Sequence, residues 1–298
     1  MNHEGLQIAV LVSAVHDCLN AVAIEPGGKS IRASSLRWIP NPADTFALEA
    51  ALRLRGRMPG SRVRAVTMGP PAWERVLREC LAVGADEAVR IWDPAVEESD
   101  PHATAVVLAT ALRGEPADLI LAGSRRGDLE HGQVGPMIAE MLGLPLVAAA
   151  REILPGQGIR ELLVSRRVPG HTLKLSCGLP ALLTIEKGPV LRYPKFIDRR
   201  KARSLPLRSV ELATLGLGAS QVGAAGSLTR LERITPPKPS KRSALGSTVS
   251  GMSTAARLQR IISGNLQEKK ESKVWQCRDR SSVERVVEHM VKEKILSL

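Results

Sequence analysis

The sequence predicts an α/β fold: a doubly wound, mainly parallel (Rossmann-like) sheet with a small antiparallel addition and an extended C-terminal arm. Short continuous apolar runs alternate with amphipathic stretches between residues 6 and 150, which is typical of parallel strands joined by helices. Hydrophobic residues make up 44% of the 298-residue chain, but aromatic residues make up only 2%. A core built mainly from Ala, Val, Leu and Ile suits a sheet that helices cover on both faces.

The elements of this sheet can be placed in order along the first half of the chain. A continuous apolar run predicts a buried first strand at residues 8–12, and further stretches rich in apolar residues predict strands at 62–67, 88–91, 119–122 and 144–149. Helical patterns lie between these strands, over residues 42–56, 73–84, 100–114 and 133–142. Asn41 is a candidate cap for the first helix, and Pro42 fits its first turn.

The pattern changes after residue 150. Runs at 161–166, 172–176 and 181–185 are separated by Gly and Pro and predict a small antiparallel addition to the sheet. We therefore divide the chain into an α/β nucleotide-binding domain over 1–217, a partly disordered Gly-, Pro- and Lys/Arg-rich linker over 218–281, and a C-terminal helix over 282–298. The apolar stripe of that helix predicts a partner surface, which we expect on another subunit.

The net charge of +12 raises the question of nucleic-acid binding. Basic residues are concentrated from Lys238 onward and in a cluster between Lys195 and Arg208. Only Tyr193 and Phe196 lie near that cluster, whereas binding of single strands would need aromatic side chains interleaved with the cations. We therefore predict no nucleic-acid partner, and instead an acidic protein surface or solvent around these charges.

Other classes of protein and site are also disfavoured. No apolar run reaches the roughly 18 residues that a membrane-spanning helix needs, and the N-terminus carries no signal-peptide pattern, so we expect a cytoplasmic protein without a membrane span. The cysteines Cys18, Cys80, Cys177 and Cys277 lack C-x-x-C spacing and predict free thiols. Because no Ser/His/Asp or metal-ligand constellation is present, we predict neither catalytic residues nor metal ligands.

The most informative stretch is the loop that joins the strand at 119–122 to the helix at 133–142. Unpaired N–H groups of such a loop, together with the positive end of the helix dipole, can hold a phosphate. The loop is neither a Walker loop nor G-x-G-x-x-G, so an ordinary strand-to-helix connection is the alternative. In a doubly wound sheet the ligand lies at the carboxyl ends of the strands, here residues 11–13, 68–70 and 123–134.

Several blocks of the sequence resemble one known family in their order and spacing. They are Val15 and Asp17 after the first strand, and residues 41–52, 67–70, 84–89, 122–145, 179–184 and 192–193. Through them the chain resembles the β subunit of the electron transfer flavoproteins over residues 6–217, and more weakly over the final helix.

That resemblance implies a heterodimer with an α subunit that holds a redox-active FAD, and it implies AMP or a second FAD in this chain. It also implies a dehydrogenase and/or a quinone oxidoreductase as partners, with this chain an electron-carrier subunit and not an enzyme. Carried over by position, it implies that the nucleotide contacts Leu11, Asn41, Pro42, Ala43, Asp44, Met68, Gly123, Ser124, Arg125, Arg126, Gly127, Asp128, Leu129, Glu130, His131, Gly132, Gln133 and Val134.

Some positions depart from the family pattern. Ser13 stands where the family usually carries a basic residue, and the loop that the family docks onto dehydrogenases, here residues 186–191, is shorter. We expect Asp128 to turn away from a phosphate or to pair with Arg125 or Arg126. Two alternatives stay open: a bifurcating subunit with its own FAD and NADH access, and a stand-alone adenine-nucleotide sensor similar to the universal stress proteins.

Overall fold

The computed structural model describes residues 5–17, 19–20, 22–26, 30–158, 160–235, 253, 255 and 279–292. The chain divides into two compact units, Met1–Pro236 and Pro237–Leu298. Most of the predicted linker from residue 236 to 281, with its expected disorder, lies outside the described residues. No helix among the described residues combines the length and the apolarity needed to cross a membrane.

The described residues contain eleven strands and seven helices. The strands are β1 (Gln7–Leu11), β2 (Ala14–His16), β3 (Trp38–Pro40), β4 (Arg62–Met68), β5 (Glu87–Ile91), β6 (Leu119–Gly123), β7 (Leu146–Pro155), β8 (Glu161–Val168), β9 (His171–Gly178), β10 (Ala181–Ile185) and β11 (Arg208–Val210). The helices are α1 (Pro42–Arg57), α2 (Glu74–Val83), α3 (Pro101–Gly114), α4 (Val134–Leu142), α5 (Phe196–Ser204), the single turn α6 (Gly223–Gly226) and α7 (Arg280–Lys292).

Nine of these strands form one sheet in the order β11-β5-β4-β1-β6-β10-β7-β8-β9. The first seven strands in that order are parallel, and β8 and β9 extend the β7 edge in antiparallel pairing. Strands β2 and β3 form a separate antiparallel pair. The predicted α/β class with a mainly parallel sheet and a small antiparallel addition is therefore confirmed.

The sheet reverses direction beside β1. The chain goes from β1 to β4 and β5 on one side, and then crosses to β6 on the other side. In doubly wound folds the crevice at such a reversal, outside the carboxyl ends of the strands, is the usual ligand site. Here the reversal places the end of β1 beside the end of β6.

Helices cover both faces of the sheet, as the continuous apolar strands predict. On β1, Ile8 and Val10 point into the core beneath α1 and α2, whereas Ala9 and Leu11 point into the core beneath α3 and α4. All four side chains are at most 7% exposed. The small residues of the helices, such as Ala47 and Ala105, let the helices approach this aliphatic sheet closely.

The expectation that residues 181–185 belong to the antiparallel addition is wrong. They form β10, which lies between β6 and β7 and is parallel to both. All five residues are buried, because helices cover both faces of the sheet at this position. An unbroken apolar run is typical of such a central strand, whereas β9 shows the largely exposed pattern of an edge.

Part of the predicted linker packs within the first unit. Residues 219–221 form a 3-10 turn and Gly223–Gly226 form α6, and Val222 between them is fully buried in the core beneath α3 and α4. Asp100 ties this segment to α3, because its carboxylate accepts from the amides of Leu228 and Thr229, each at 2.9 Å.

Candidate functional site

A cleft of about 610 Å³, counting its open mouth, lies at the carboxyl ends of β1, β4 and β6. The N-terminal turns of α1, α3 and α4 complete its walls. The lining residues are Leu11, Val12, Ser13, Asn41, Asp44, Val66, Met68, Trp73, Thr104, Leu108, Ala122, Gly123, Arg125, Arg126, His131, Gly132, Val134 and Gly135.

The structure brings ten of the eighteen predicted contact residues into this lining. They are Leu11, Asn41, Asp44, Met68, Gly123, Arg125, Arg126, His131, Gly132 and Val134. The other eight flank the cleft in the first turn of α1 or in the loop between β6 and α4: Pro42, Ala43, Ser124, Gly127, Asp128, Leu129, Glu130 and Gln133.

Asp44 closes the floor of the cleft at the reversal of the sheet. One carboxylate oxygen accepts from the amide and the hydroxyl of Ser13 at 2.7 and 2.8 Å, and the other accepts from the amide of Gly123 at 3.0 Å. The carboxylate therefore joins the end of β1 to the end of β6. Burial raises the pKa of Asp44 to about 6, although these hydrogen bonds oppose the shift.

Asn41 precedes α1, but its side chain does not cap the helix. The side-chain amide donates to the carbonyl of Arg125 and its oxygen accepts from the amide of Gly127, both at 3.0 Å. Asn41 is 1% exposed. The expected capping role is therefore replaced by a contact across the fold that holds the β6–α4 loop against α1.

The β6–α4 loop neutralises its own charges. Arg126 forms two hydrogen bonds with Asp128, at 3.0 and 2.7 Å, and Arg125 forms an ion pair with Glu130 at 3.0 Å. Burial alone would raise the pKa of Asp128, but the Arg126 partner holds it below the usual value. The expectation that Asp128 pairs with Arg125 or Arg126 is thus confirmed for Arg126.

Three consecutive amides lie at the start of α4, and two of their residues, Gly132 and Val134, line the cleft. Among the residues that the structure describes, the N–H groups of Gly132, Gln133 and Val134 donate to no protein acceptor. They occupy the positive end of the helix dipole, where an anion is stabilised without a basic side chain. This end of the cleft fits a phosphate group.

Two glycines are required for the loop to approach so closely. A Cβ on Gly123 would lie 2.2 Å from a carboxylate oxygen of Asp44, and one on Gly132 would lie 2.5 Å from the carbonyl of Ser124. A Cβ on Gly127 would meet nothing closer than 3.5 Å, at the side-chain oxygen of Asn41. The constraint at Gly132 therefore comes from the loop itself, and the constraint at Gly123 comes from the Asp44 bridge.

The opposite end of the cleft is apolar and has an aromatic wall. Trp73 is 8% exposed and packs against Trp38 with ring centroids 5.7 Å apart, and the Arg126 guanidinium lies 5.8 Å from the Trp73 ring. A Cβ on Gly69 would lie 2.1 Å from the indole, so only glycine leaves room for this ring. Leu11, Val66, Met68 and Leu108 complete the apolar surface.

Trp73, Thr104 and Leu108 also line the cleft, although no pattern in the sequence assigned them to the site. Thr104 and Leu108 lie in α3, whose N-terminus points to the same edge of the sheet as those of α1 and α4. The rule that locates ligands at the carboxyl strand ends also includes the helix starts that follow them. That rule could have identified α3, but it could not have selected these side chains.

A second feature is the segment after β10, which begins with the predicted docking loop 186–191. Glu49 of α1 is 3% exposed and accepts from Arg192 three times, from the backbone amide, Nε and an η nitrogen, at 3.1, 2.9 and 3.1 Å. Burial would raise the pKa of Glu49, but Arg192 and Arg53 hold it below the usual value. This contact anchors the segment to α1.

Beyond that anchor the segment exposes large apolar side chains beside cations. Tyr193 and Phe196 are 85% and 83% exposed, and the Arg199 guanidinium lies 5.2 Å from the Tyr193 ring. Apart from Arg192, no cation from Lys187 to Arg203 forms an ion pair with an acid within the described part of the chain; these cations are Lys187, Lys195, Arg199, Arg200, Lys201 and Arg203. We call residues 190–203 the basic–aromatic segment.

Comparison with known proteins gives consistent matches. Residues 30–215 match the family described as electron transfer flavoprotein domain. The chain is 30% identical to the electron transfer flavoprotein subunit beta of Methylophilus methylotrophus, over 80% of this chain and 91% of that protein. It is 35% identical to protein FixA of Azotobacter vinelandii, over 75% and 82%, and 33% identical to subunit CarD of the caffeyl-CoA reductase-Etf complex of Acetobacterium woodii, over 78% and 88%.

Proposed function

This chain belongs to the electron transfer flavoprotein β-subunit family, and on that premise we propose that its cleft binds an adenine nucleotide. The ligand is AMP, or the AMP half of a FAD. An α subunit carries the redox-active FAD, and the two chains together move electrons from a dehydrogenase to an acceptor. In this proposal the chain is a binding and docking subunit of an electron carrier.

The free amides of Gly132, Gln133 and Val134 carry the proposal. They lie at the same sheet edge as the reversal between β1 and β6, where doubly wound folds bind ligands. Because Arg125 and Arg126 are already paired with acids, a phosphate group has these amides and the helix dipole as its main partners.

The apolar end of the cleft can hold the nucleobase of the ligand. Leu11, Val66 and Met68 come from neighbouring strand ends and present aliphatic surface on which a purine ring can lie. Trp73 closes this side and is held in place by Trp38 and Arg126. The two ends of the cleft thus match the two chemical ends of a nucleotide.

A bound flavin supplies the electron-transfer chemistry, so the residues of this chain need only bind and orient. Asp44 and Asn41 hold the strand ends and the β6–α4 loop in register around the ligand. The basic–aromatic segment is the proposed docking surface for the electron donor or acceptor, a dehydrogenase and/or a quinone oxidoreductase. Its exposed Tyr193 and Phe196 among unpaired cations suit an acidic surface with an apolar centre.

A bifurcating subunit with its own FAD and NADH access is the second candidate. The relative in the caffeyl-CoA reductase-Etf complex supports keeping it, because that name places a similar chain in a complex with a reductase. The phosphate end of the cleft suits AMP and FAD equally, since both present a phosphate beside an adenosine.

The test is to co-express the chain with the α-subunit gene from the same genome, purify the complex, and quantify the nucleotides released on denaturation. One FAD with one AMP per heterodimer supports the first candidate, and two FAD support the second. A chain that neither associates with the α subunit nor releases any nucleotide contradicts both.

A further inference from the structure

We propose that Asp44 is a charge-selecting positioning residue of the cleft, which takes up a proton when a phosphate group occupies the amides at the start of α4. Binding of a phosphate-bearing ligand then weakens as the pH rises, whereas binding of the same ligand without phosphate does not. This inference rests on the proposed nucleotide site, and it adds a proton-linked preference that the site itself does not require.

The geometry of Asp44 is unusual for a buried acid. Asp44 is 6% exposed, and the donors to its carboxylate, from Ser13, Gly123 and Asn41, are all uncharged. No Lys, Arg or His of the described residues forms an ion pair with it. A buried carboxylate without a cation is costly to keep ionised, and another anion nearby increases that cost.

A phosphate at the proposed position would be such an anion. Gly123 donates its amide to Asp44, and the carbonyl of the next residue, Ser124, lies 2.5 Å from where a Cβ of Gly132 would be. Asp44 of α1 thus contacts Gly123 at the start of the β6–α4 loop, the next residue of that loop lies against Gly132, and Asp44, Gly132 and Val134 all line the same cleft. Like charges in so small and partly apolar a space repel strongly.

The direction of the pH effect follows from the state of the carboxyl group. Burial already raises the pKa of Asp44 to about 6, and a bound phosphate raises it further. Near neutral pH the ligand-free carboxyl is mostly ionised and gains a proton on binding. The affinity is then highest below pH 6 and falls as the pH rises through the raised value.

The other charged groups around Asp44 do not neutralise the negative charge of its carboxylate. From the β6–α4 loop, Arg125 and Arg126 line the cleft, but each is paired with an acid of the same loop. From α2, the Cys80 thiol stays neutral because burial, with smaller contributions from nearby acids, raises its pKa to about 12.

The remaining groups are distant or uncharged. Further along α1, Glu49 is held by Arg192. The lining residues from β1 and β4 carry no titratable side chain. His131 is therefore the one other titratable side chain in the described lining whose protonation needs a control.

The experiment measures binding to the full chain, purified with its α subunit and stripped of nucleotide, by calorimetry between pH 5.5 and 8.5. The probe is the 5′-methyl ester of AMP, whose phosphodiester keeps one charge throughout this range, and adenosine is the ligand without phosphate. We expect the affinity for the ester to fall about tenfold, as a one-unit rise in pKa would give, while that for adenosine stays constant. Titration in buffers of different ionisation enthalpy should show proton uptake for the ester alone.

Two variants assign the proton. Asp44→Asn should abolish both the pH dependence and the proton uptake, and His131→Gln, the matched control, should keep them. If Asp44→Asn does not fold, two other measurements test the role of Asp44. Proton uptake by the wild type and a pH dependence that persists in His131→Gln support it. Ester binding that is independent of pH, or dependence lost in His131→Gln, overturns the role of Asp44 and leaves the nucleotide site intact. Failure of AMP, FAD and the ester to bind at any pH contradicts the site itself.

Discussion

The cleft and the basic–aromatic segment are both attached to helix α1, through buried carboxylates of opposite character. Asp44, in the first turn, faces the cleft and accepts hydrogen bonds from uncharged donors, Ser13 just after β1 and Gly123 at the end of β6. Glu49, five residues further on, faces the segment and is paired with Arg192 and Arg53. The pKa of Asp44 is raised to about 6 by burial, whereas that of Glu49 is lowered by its cations despite burial.

This contrast shows how one helix holds two buried carboxylates in different electrostatic environments. The cleft satisfies its own charges, because the arginines of its loop have acids beside them and its floor has a carboxyl that can be neutral. The basic–aromatic segment is fixed at Arg192 but leaves its cations and aromatic rings to solvent. In the proposed function, the cleft needs only a small ligand, whereas the segment needs a protein partner to cover its exposed apolar side chains.

The largest expected effect comes from breaking the Asp44 bridge with Gly123→Ala. The new Cβ would lie 2.2 Å from the Asp44 carboxylate and 2.8 Å from the backbone nitrogen of the same residue. We expect a loss of about 3 kcal/mol in the free energy of unfolding and no bound nucleotide in the purified complex. Gly127→Ala is the matched control, since its Cβ meets no atom within 3.4 Å; equal losses in the two variants would contradict the bridge.

The two carboxylates should give stability profiles of opposite sign. Asp44 keeps its proton in the folded state up to pH about 6 but loses it near 3.8 when unfolded. Its contribution is full below pH 3.8 and is lost as the pH rises through 6, by about 3 kcal/mol at most. Glu49 contributes above its unfolded pKa, and its contribution is lost as the pH falls through the lowered value.

Denaturant titrations of the wild type, Asp44→Asn and Glu49→Gln between pH 3 and 8 test this pair. Relative to Asp44→Asn, the wild type should lose stability as the pH rises from 3.8 through about 6, and the difference should stay constant at higher pH. The difference between wild type and Glu49→Gln should favour the wild type more as the pH rises. Parallel curves for the two variants would show that the carboxylates are not electrostatically distinct.

Removing the charge of Glu49 should release the segment and leave the cleft unchanged. Glu49→Gln weakens three hydrogen bonds from Arg192, and we expect a cost of about 2 kcal/mol. Amide exchange should accelerate over residues 190–197, and nucleotide content should not change. Glu79→Gln, in an exposed ion pair with Arg75 at 3.4 Å, should change stability by less than about 0.5 kcal/mol.

The smallest effect is expected at the surface of the segment. The double variant Arg199→Glu, Lys201→Glu reverses two exposed cations that have no acid partner among the described residues. Association with an electron-transfer partner should slow about tenfold and lose part of its salt dependence, because rim charges act mainly on the association rate. Arg57→Glu at the exposed end of α1 should change neither quantity, and nucleotide binding should be equal in all three proteins.

The order of elements and the edge of the sheet that carries the site could be predicted from local patterns. The apolar runs and the helix signals at Pro42, Asp100 and Gly84 are properties of short windows, and the structure keeps them. The Asp100 side chain accepts from the Ala103 amide at 2.9 Å, and Gly84 ends α2 in a left-handed conformation. Once strands and helices alternate, the carboxyl ends must share an edge, which brings ten predicted residues into the cleft lining.

The position of β10 and the partners of Asn41 could not be predicted in the same way. An apolar run of five residues indicates that a strand is buried, but it does not indicate which strands lie beside it. Asn41 has the local signature of a cap, yet its side chain bonds residues more than 80 positions away. Tertiary contacts outweighed the local preference, because the loop offered two hydrogen bonds with good geometry to one buried amide.

The sequence by itself determined the fold class, the family and the edge of the sheet at which a ligand would bind. Periodicity, turn residues and the order of sequence blocks are properties of the linear chain. They do not depend on which residues contact one another in the fold. Only the tertiary structure decided that Asp44 is buried without a cation while Glu49 is buried with one. The free energy of a buried charge depends on which groups the fold brings within a few ångströms, and the residues that meet each carboxylate lie up to 143 positions from it in sequence.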